Sequence, residues 1–451
     1  MVNILAWSDL LIRLKLGYYR GKRVAFTKKT IKDINLTGKT VLLRADYNVP
    51  ISNGRIVQDY RMKMSLPTIQ YLLDKGCKVI ICSHLGRPDG KKAMEFSLAP
   101  VAKHLKQLLG KELFFIPEAV GESAQKAVAA LQPGQVALLE NLRFYPGEEA
   151  NDKAFADQLA AYADVFVQDG FGVVHRAHAS TDAITKLLPS VAGLLLEKEV
   201  TTINTAMSEP VRPLMAIVGG AKIADKISVL ERFIKIADVV AIGGAMANTF
   251  LLAKGIKVGK SLVDKDDIPL AKQIMQLAEA ESKKRKFTFY LPQDGVVATA
   301  MDSHATTRIV DWNAHVAAQI MSYPKQPLDS SLELKSTEAI YDVGPYSGAF
   351  IAGLTQLCGT VVWNGTLGVT EVSGLHGPVG PFAHGTEAVI ESLIGEIGHA
   401  PISIVGGGDT AAYIEERKLT DCFTHVSTGG GASLELMAGK KLPGIEALQN
   451  K

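Results

Sequence analysis

Four arginines, Arg61, Arg87, Arg143 and Arg176, each come shortly after an apolar run or the turn that ends one, and His84, His175 and His178 are interleaved with them. A guanidinium presents a planar fork of donors that matches phosphate or carboxylate in pairs, each charge-assisted bond contributing about 1.5–3 kcal/mol. Any one arginine could serve a surface ion pair. Four of them at strand ends, with Asp46 and Asn48 trailing a further strand, point to a small dianion. Beyond Arg212 the trailing residues change character. Gly219-Gly-Ala-Lys222, Gly406-Gly-Gly-Asp409 and Thr428-Gly-Gly-Gly431 each join an apolar run to a helix-like segment. Glycine in such turns lets backbone N–H groups approach a phosphate, and the helix N-terminus adds positive potential. Three of them in one half of a chain point to a polyphosphate.

Other motif readings fare worse. Gly255-Ile-Lys-Val-Gly259-Lys-Ser261 has three residues between its glycines where a P-loop needs four. Gly406-Gly-Gly408-Asp-Thr-Ala411 satisfies the dinucleotide pattern G-x-G-x-x-A, but Ser427-Thr-Gly-Gly stands where the companion acid belongs. A nicotinamide oxidoreductase is therefore a secondary reading. His175-Arg-Ala-His178 has no cysteine or carboxylate pattern to complete a metal site. No Gly-x-Ser-x-Gly, catalytic Cys–His or HExxH string argues for a covalent nucleophile or zinc chemistry.

The elements that must position these groups follow a regular scheme. Short β-branched runs alternate with longer helical-period segments, the pattern of parallel sheets wrapped by helices. Expected strands are 40–46, 77–84, 113–117, 135–140, 164–168, 214–218, 238–242, 287–291, 339–343, 360–363, 402–405 and 421–426. Ligands of open α/β sheets bind just outside the carboxyl ends of the strands, where these polar and glycine residues fall. A helix from about Leu194 to Asn204, followed by Ser208-Glu-Pro-Val-Arg-Pro213, reads as the connection between two domains. The uncharged stretch Val343–Thr370, with Pro345, Gln356, Asn364 and six glycines, reads as loop plus buried strand rather than a membrane span. Lys283–Lys286 reads as the solvated end of a helix.

Composition agrees with an ordinary two-domain globular protein. The chain has 451 residues, 47% hydrophobic and 21% charged, with 41 glycines. Its net charge of +3 is too near balance for nucleic acid to be the main partner. The first thirty residues hold seven Lys or Arg and one acid, Asp9, so the rest carries 42 basic and 45 acidic residues and is slightly acidic. That start raises a targeting segment against an ordinary amphipathic helix. Cys77, Cys82, Cys358 and Cys422 are too scattered for a disulfide framework or a zinc site, and Cys77 and Cys82 should face opposite sides of one strand. A cytoplasmic location follows.

From about Thr30 to Leu448 these strings resemble the phosphoglycerate kinase family. Arg44-Ala-Asp-Tyr-Asn-Val-Pro50, Ser83-His-Leu-Gly-Arg-Pro88, Leu139-Glu-Asn-Leu-Arg-Phe144 and His175-Arg-Ala-His-Ala-Ser180 are similar to its substrate-domain motifs. Gly219–Lys222, Trp363-Asn-Gly365, Gly406–Asp409 and Ser427-Thr-Gly-Gly-Gly-Ala-Ser433 are similar to its nucleotide-domain motifs. The resemblance implies two Rossmann-like α/β domains, each a parallel sheet flanked by helices, facing each other across a hinged cleft. It divides the chain into an extension over 1–29, a 3-phosphoglycerate domain over 30–195 to which a tail over 434–451 returns, and a nucleotide domain over 196–433. Asp46, Asn48, Arg61, His84, Arg87, Arg143 and Arg176 would bind 3-phosphoglycerate or 1,3-bisphosphoglycerate. Gly219, Lys222, Lys226, Gly244, Asn364, Glu371, Gly406, Gly407, Gly408, Asp409, Thr410 and Thr428 would bind ADP or ATP, with Asp409 holding Mg²⁺. Arg61, Lys222, Gly407 and Gly430 would stabilise the transferring phosphoryl group, and the enzyme would act as a monomer without nucleic-acid or membrane partners.

Several positions depart from the family's usual strings. Gly170 replaces an alanine, Thr366, Leu367 and Thr370 replace Pro, Met and Phe, Ala245 replaces a glycine, and Asn248 replaces a tyrosine. Because all but the first of these departures fall on the base side of the nucleotide site, a catalytically silent scaffold on the same fold is the alternative reading.

Overall fold

The structure, a computed structural model, describes residues 24–312 and 333–451. The expectations for residues 1–23 lie outside that range. Contacts group the described chain into two units. One comprises Val24–Ile203, Thr428–Leu436 and Lys440–Lys451, and the other comprises Asn204–Ser427 and Met437–Gly439.

The first unit is built on a six-stranded parallel sheet. In spatial order its strands are Leu113–Ile116, Val136–Leu139, Lys78–Cys82, Thr40–Arg44, Val165–Gln168 and Ser190–Ala192. Period-two alternation divides their side chains between two cores. Val41, Leu43, Val79, Ile81, Leu138 and Val167 pack on one face with Cys77, and Leu42, Ile80, Leu139 and Phe166 pack on the other with Cys82. The cysteines thus lie on opposite sides, as their spacing predicts. From Thr40–Arg44 the chain passes first to Lys78–Cys82 on one side and much later to Val165–Gln168 on the other. That junction is the switch point at which such sheets bind ligands. The chain's last residues belong here: Lys28 donates to the carbonyls of Glu446 at 2.8 Å and Leu448 at 3.1 Å, and Lys29 N donates to Gln449 O at 2.7 Å.

The second unit has its own six-stranded parallel sheet, ordered Thr288–Tyr290, Val239–Ile242, Leu214–Val218, Thr360–Asn364, Ile402–Gly406 and His425–Val426. Here the switch point falls between Leu214–Val218 and Thr360–Asn364. Three turns meet above it, backbone to backbone. A Cβ on Gly219 would strike Thr366 O and come within 2.7 Å of Gly365 O, and one on Gly244 would lie 2.5 Å from Gly220 N. Gly244 and Gly365, at φ +63° and +96°, also occupy the left-handed region.

Several elements differ from the sequence-based expectation. Ala339–Val343 is not part of the parallel sheet; it pairs antiparallel with Asp294–Ala298, which also pairs with Arg308–Asp311. Val343–Thr370 contains a helix, Pro345–Gln356, before its buried strand. Its glycines read as breakers, yet Gly348 serves close helix packing, its Cβ position 3.4 Å from Gly385 Cα. Pro345 sits in the first turn, where its missing N–H costs nothing, and the Asp294 carboxylate accepts from Tyr346 N and Ser347 N, both at 2.9 Å. The strand expected over 421–426 shrinks to His425–Val426 because Thr420–Cys422 closes a helical turn. The connecting helix runs longer, over Leu194–Ser208.

The glycine contacts lead to a paired prediction. Gly365→Ala puts a methyl into backbone and into a strained φ, so it should destabilise the second unit by about 2–4 kcal/mol in urea unfolding. Gly353→Ala, on an exposed helical position with open space around it, should stabilise it by about 0.5–1 kcal/mol.

Candidate active site

Groups trailing four strands of the first unit converge at its switch point. Arg44 ends Thr40–Arg44 and is buried; its Nε donates to Ser180 Oγ at 2.7 Å, another guanidinium N–H donates to Ala45 O, and Nη2 lies 3.4 Å from His84 Nδ1. Arg61 donates to Asn48 O at 2.8 Å and lies 3.4 Å from Asp46 Oδ2. Arg143 donates to Gly86 O at 2.8 Å and pairs with Glu149 at 3.1 Å. Arg176 Nε donates to His175 Nε2 at 3.2 Å. Asn48 supports the loop after Lys78–Cys82, its Oδ1 accepting from Gly86 N at 2.9 Å.

Their convergence shows in the histidines they surround. Burial first, then the charges of Arg44, Arg143, Arg61 and Arg176, hold the His84 imidazole well below its usual pKa. Burial, followed by Arg143, Arg44, Arg176 and His175, brings His178 down to about 4. Both rings are neutral at pH 7. Glu148 answers part of the positive charge: it is fully buried, lies 3.8 Å from Arg44 and accepts from Ser180 Oγ at 2.6 Å and Ser180 N at 3.0 Å. Of the arginines singled out in the sequence, Arg87 stands apart. It is exposed and bonds to no described residue.

The turn Thr428–Gly431 belongs to this same unit. Thr428 N and Oγ1 both donate to Glu199 Oε1, each at 2.7 Å, so its side chain is engaged by the connecting helix. Gly430 begins the helix Gly430–Met437, and a Cβ on Gly431 would lie 3.2 Å from His175 Nε2. Its amides therefore neighbour the arginine cluster.

In the second unit, contacts bring most of the nucleotide candidates together. Lys226 donates to Asn364 Oδ1 at 2.6 Å and Asn364 O at 3.2 Å. Gly365 N donates to Thr410 Oγ1 at 3.0 Å, and a Cβ on Gly407 would lie 3.4 Å from Asn364 Oδ1. Gly406 pairs with Asn364 in the sheet, and Gly408 opens a helix over Gly408–Glu416 that carries an exposed Asp409 in its first turn. Burial brings the Lys226 ammonium down to about 8, against the opposing charges of Asp409 and Asp225. Lys222 is separate: it is exposed and pairs with Asp264 at 3.2 Å, on a loop fixed by Asp267, which accepts from Ile223 N and Ala224 N.

Beside these groups opens a cavity of about 460 Å³. Gly220, Gly244 and Asp409 line it, as do Glu371, Asn248 and Leu367, and its apolar side includes Leu251, Leu262, Met301 and Trp312. Among the described residues no group of three or more His, Cys, Asp or Glu could hold a metal ion. A cation here would take most of its ligands from a bound phosphate and water.

Comparison with known proteins decides between the readings of this pair of sites. The family model for phosphoglycerate kinase matches residues 31–440. The chain belongs to the phosphoglycerate kinase family. It is 46% identical over 424 residues to the phosphoglycerate kinase of Moorella thermoacetica, covering 94% of this chain and all of that one, and 44% identical over 426 residues to that of Chloroflexus aurantiacus, covering 94% and 99%. Solved structures of the Coxiella burnetii and Pyrococcus horikoshii OT3 phosphoglycerate kinases superpose with TM-scores of 0.74 and 0.76, at 38% and 30% identity, each covering 93% of this chain and 98% of theirs. Membership makes the chain a glycolytic kinase, a transferase using ADP and ATP, with two parallel-sheet α/β domains. The nicotinamide reading falls, although the second sheet shares the strand order of dinucleotide folds.

The departures from the family's usual strings have places in the structure. A Cβ at Gly170 would lie 3.1 Å from the Ala45 carbonyl carbon and 3.3 Å from Asp46 N, so glycine relieves a tight spot. Ala245, Asn248, Thr366 and Leu367 all line the cavity. Sequence reasoning missed Arg44 and Glu148 as members of the arginine site. Arg44 is the last residue of an apolar strand; Glu148 lies in a short helix and carries no motif of its own.

The neutral histidines set a pH dependence. His178 binds fewer protons folded than unfolded between its folded pKa near 4 and its unfolded value near 6.5, so its contribution is present above that window and is lost as pH falls through it. Asp169, raised by burial to about 7, acts in the opposite sense. Thermal unfolding of wild type and His178→Gln between pH 4.5 and 7 should show a shallower loss of Tm toward acid in the variant. Parallel curves would exclude His178 as a source of acid sensitivity.

Proposed function

We propose that the chain catalyses the reversible, Mg²⁺-dependent transfer of a phosphoryl group from 1,3-bisphosphoglycerate to ADP, giving 3-phosphoglycerate and ATP. The convergence of Arg44, Arg61, Arg143 and Arg176 about two neutral histidines carries this reading, because it concentrates positive charge where a phosphorylated carboxylic acid needs it. Arg143 and Arg176 engage the substrate's anionic groups, with Arg87 reaching in from solvent. Arg61 meets the transferring group, a role supported by its being held by Asp46 and the Asn48 carbonyl.

ADP occupies the cavity of the second unit, with its phosphates toward Gly220, Gly244, Lys226 and the helix N-terminus at Gly408. Asp409 would supply one carboxylate to Mg²⁺, with the remaining ligands drawn from phosphate and water. One protein carboxylate is enough for a cation held mainly by phosphate and water. A cation held there would neutralise phosphate charge. Transfer is direct and in line, since phosphoryl chemistry needs positioning and charge stabilisation more than a nucleophilic side chain. Lys226 and the amides of Gly407 and Gly430 would stabilise charge that develops in the transition state, and Lys222 would join them on leaving its pairing with Asp264. Closure about the connecting helix would align the two ligands and keep out hydrolytic water.

Localisation is proposed as cytoplasmic, on four cysteines too few and scattered for a disulfide framework, and the protein as a monomer. Among the described residues no helix is long and apolar enough to cross a membrane.

A coupled assay in both directions tests the assignment: turnover should require 1,3-bisphosphoglycerate, ADP and Mg²⁺ together. Lys222→Ala should lower kcat by about 10²–10³-fold with its Tm held near wild type, and normal turnover would refute the role given to Lys222. A second measurement addresses Lys226. Its ammonium is charged below pH 8 and neutral above, so kcat/KM for ADP should decline on an alkaline limb near that value. Lys226→Met should lower kcat/KM and remove the limb; a limb that survives belongs to another group.

A further inference from the structure

The cavity assigned to ADP has a second end whose chemistry differs from the first. Its phosphate end is backbone and charge, at Gly220, Gly244 and Asp409. At the other end stand Leu251, Leu262, Pro292, Met301, Ile340 and the indole of Trp312. Three polar side chains of the lining already have partners. Asp294 gives its oxygens to Tyr346 N and Ser347 N, Asp342 accepts from Val343 N and Gly385 N, and Asn248 Nδ2 donates to Leu262 O at 3.3 Å.

Trp312 is fixed there by the antiparallel sheet. Arg308–Asp311 pairs with Asp294–Ala298, Asp294 opposite Asp311, so the residue after Asp311 emerges beside the Pro292–Asp294 turn. Its indole Nε1 donates to Pro292 O at 2.9 Å. The ring also needs Gly295: a Cβ there would lie 3.1 Å from Trp312 Cη2 and 3.3 Å from Cζ3. Almost any side chain at 295 would press on the indole.

Behind this wall lies a second cavity of about 270 Å³, lined by Lys254, Met275, Phe289 and Tyr290. It shares Leu251, Pro292 and Trp312 with the first. Those three side chains are the partition. Without the indole, the base end of the ADP cavity would run on into this space and present no flat apolar surface.

We propose that Trp312, seated on Gly295 and hydrogen-bonded to Pro292, is the aromatic wall against which the nucleobase packs, and so a specificity-determining residue for the nucleotide. This rests on the reading that the cavity holds ADP. A nucleobase has a polarisable face that an indole covers, and contacts of this kind tolerate a site with few free hydrogen-bonding groups. The wall acts on the base alone, so its effect is separable from phosphate binding.

The test uses the full chain with Trp312→Ala, Trp312→Leu and Trp312→Phe, and with Lys226→Ala as a phosphate-end control. Loss of one base–aromatic contact should raise KM and the dissociation constant for ADP about tenfold in the Ala and Leu variants. Phenylalanine should restore most of the affinity, and the change should fall on KM rather than kcat. Pyrophosphate, which has no base, should compete with ADP with the same inhibition constant in wild type and all three Trp312 variants. Leucine keeps the partition filled, which guards the result against a collapse caused by the alanine cavity. The proposal is overturned if ADP affinity is unchanged at Trp312 while Lys226→Ala weakens it, or if pyrophosphate inhibition weakens in step with ADP binding. If neither Trp312 nor Lys226 variants alter ADP affinity, the placement of ADP in this cavity fails instead.

Discussion

Like charges held together before any ligand arrives are the constraint on which the arrangement of the first unit depends. Two guanidinium groups about 5 Å apart repel by roughly 3 kcal/mol at the effective dielectric of a partly buried site. Four of them act on His84 and on its neighbourhood. The fold meets this in two ways. It supplies carboxylates from other elements, Asp46 after the central strand and Glu148 and Glu149 from a short helix. It also keeps both histidines neutral, so that they add bulk and hydrogen-bonding capacity without adding charge. Three arginines are further tied to backbone carbonyls, at Ala45, Asn48 and Gly86. Those bonds fix each fork's direction and leave other N–H groups for an anion, the preorganisation that phosphoryl chemistry uses.

The second unit offers an anion a different kind of surface. Its turns approach one another so closely that side chains are excluded at Gly219, Gly244 and Gly365, and what remains to face a ligand is backbone. Backbone dipoles carry no net charge, so they can be packed together without the repulsion that four arginines face. The one ammonium set among them is Lys226, held by Asn364 and shifted by burial toward neutrality. A phosphate brought near would favour its charged form. Below about pH 8 that charge is already present, and a bound phosphate would keep it there at higher pH.

Much of this was legible in the sequence because a parallel sheet leaves few places for a ligand. Once β-branched runs marked the strands, the residues after them became the candidates, and Arg143, His84 and most of the glycine turns do gather at the two switch points. Strand limits agreed within two residues for most of both sheets. What failed to show did so for physical reasons. The glycines of Pro345–Gln356 looked like breakers, whereas Gly348 allows a neighbouring helix to approach, a property of the pair and not of either segment. Ala339–Val343 has the composition of a parallel strand but finds an antiparallel partner in Asp294–Ala298, a short run with little periodicity. Trp312 follows an ordinary edge strand and gains meaning only from Gly295 across the ladder.

Arg44 and Arg87 show the limit of reading charge by type. Both follow strands, and both carry the same guanidinium. Arg44 is buried, bonded to Ser180 and Ala45, and balanced by Glu148, so it contributes field and shape while its own donors are largely spoken for. Arg87 is exposed with every donor free of described residues. An untethered arginine side chain has about 2 kcal/mol of rotamer entropy to lose on immobilisation, which offsets much of a new charge-assisted bond. The anchored arginines have already lost it during folding. Affinity for the anion should therefore rest on the anchored groups, while Arg87, able to swing out and back, is suited to following a substrate whose charge changes as its phosphoryl group leaves.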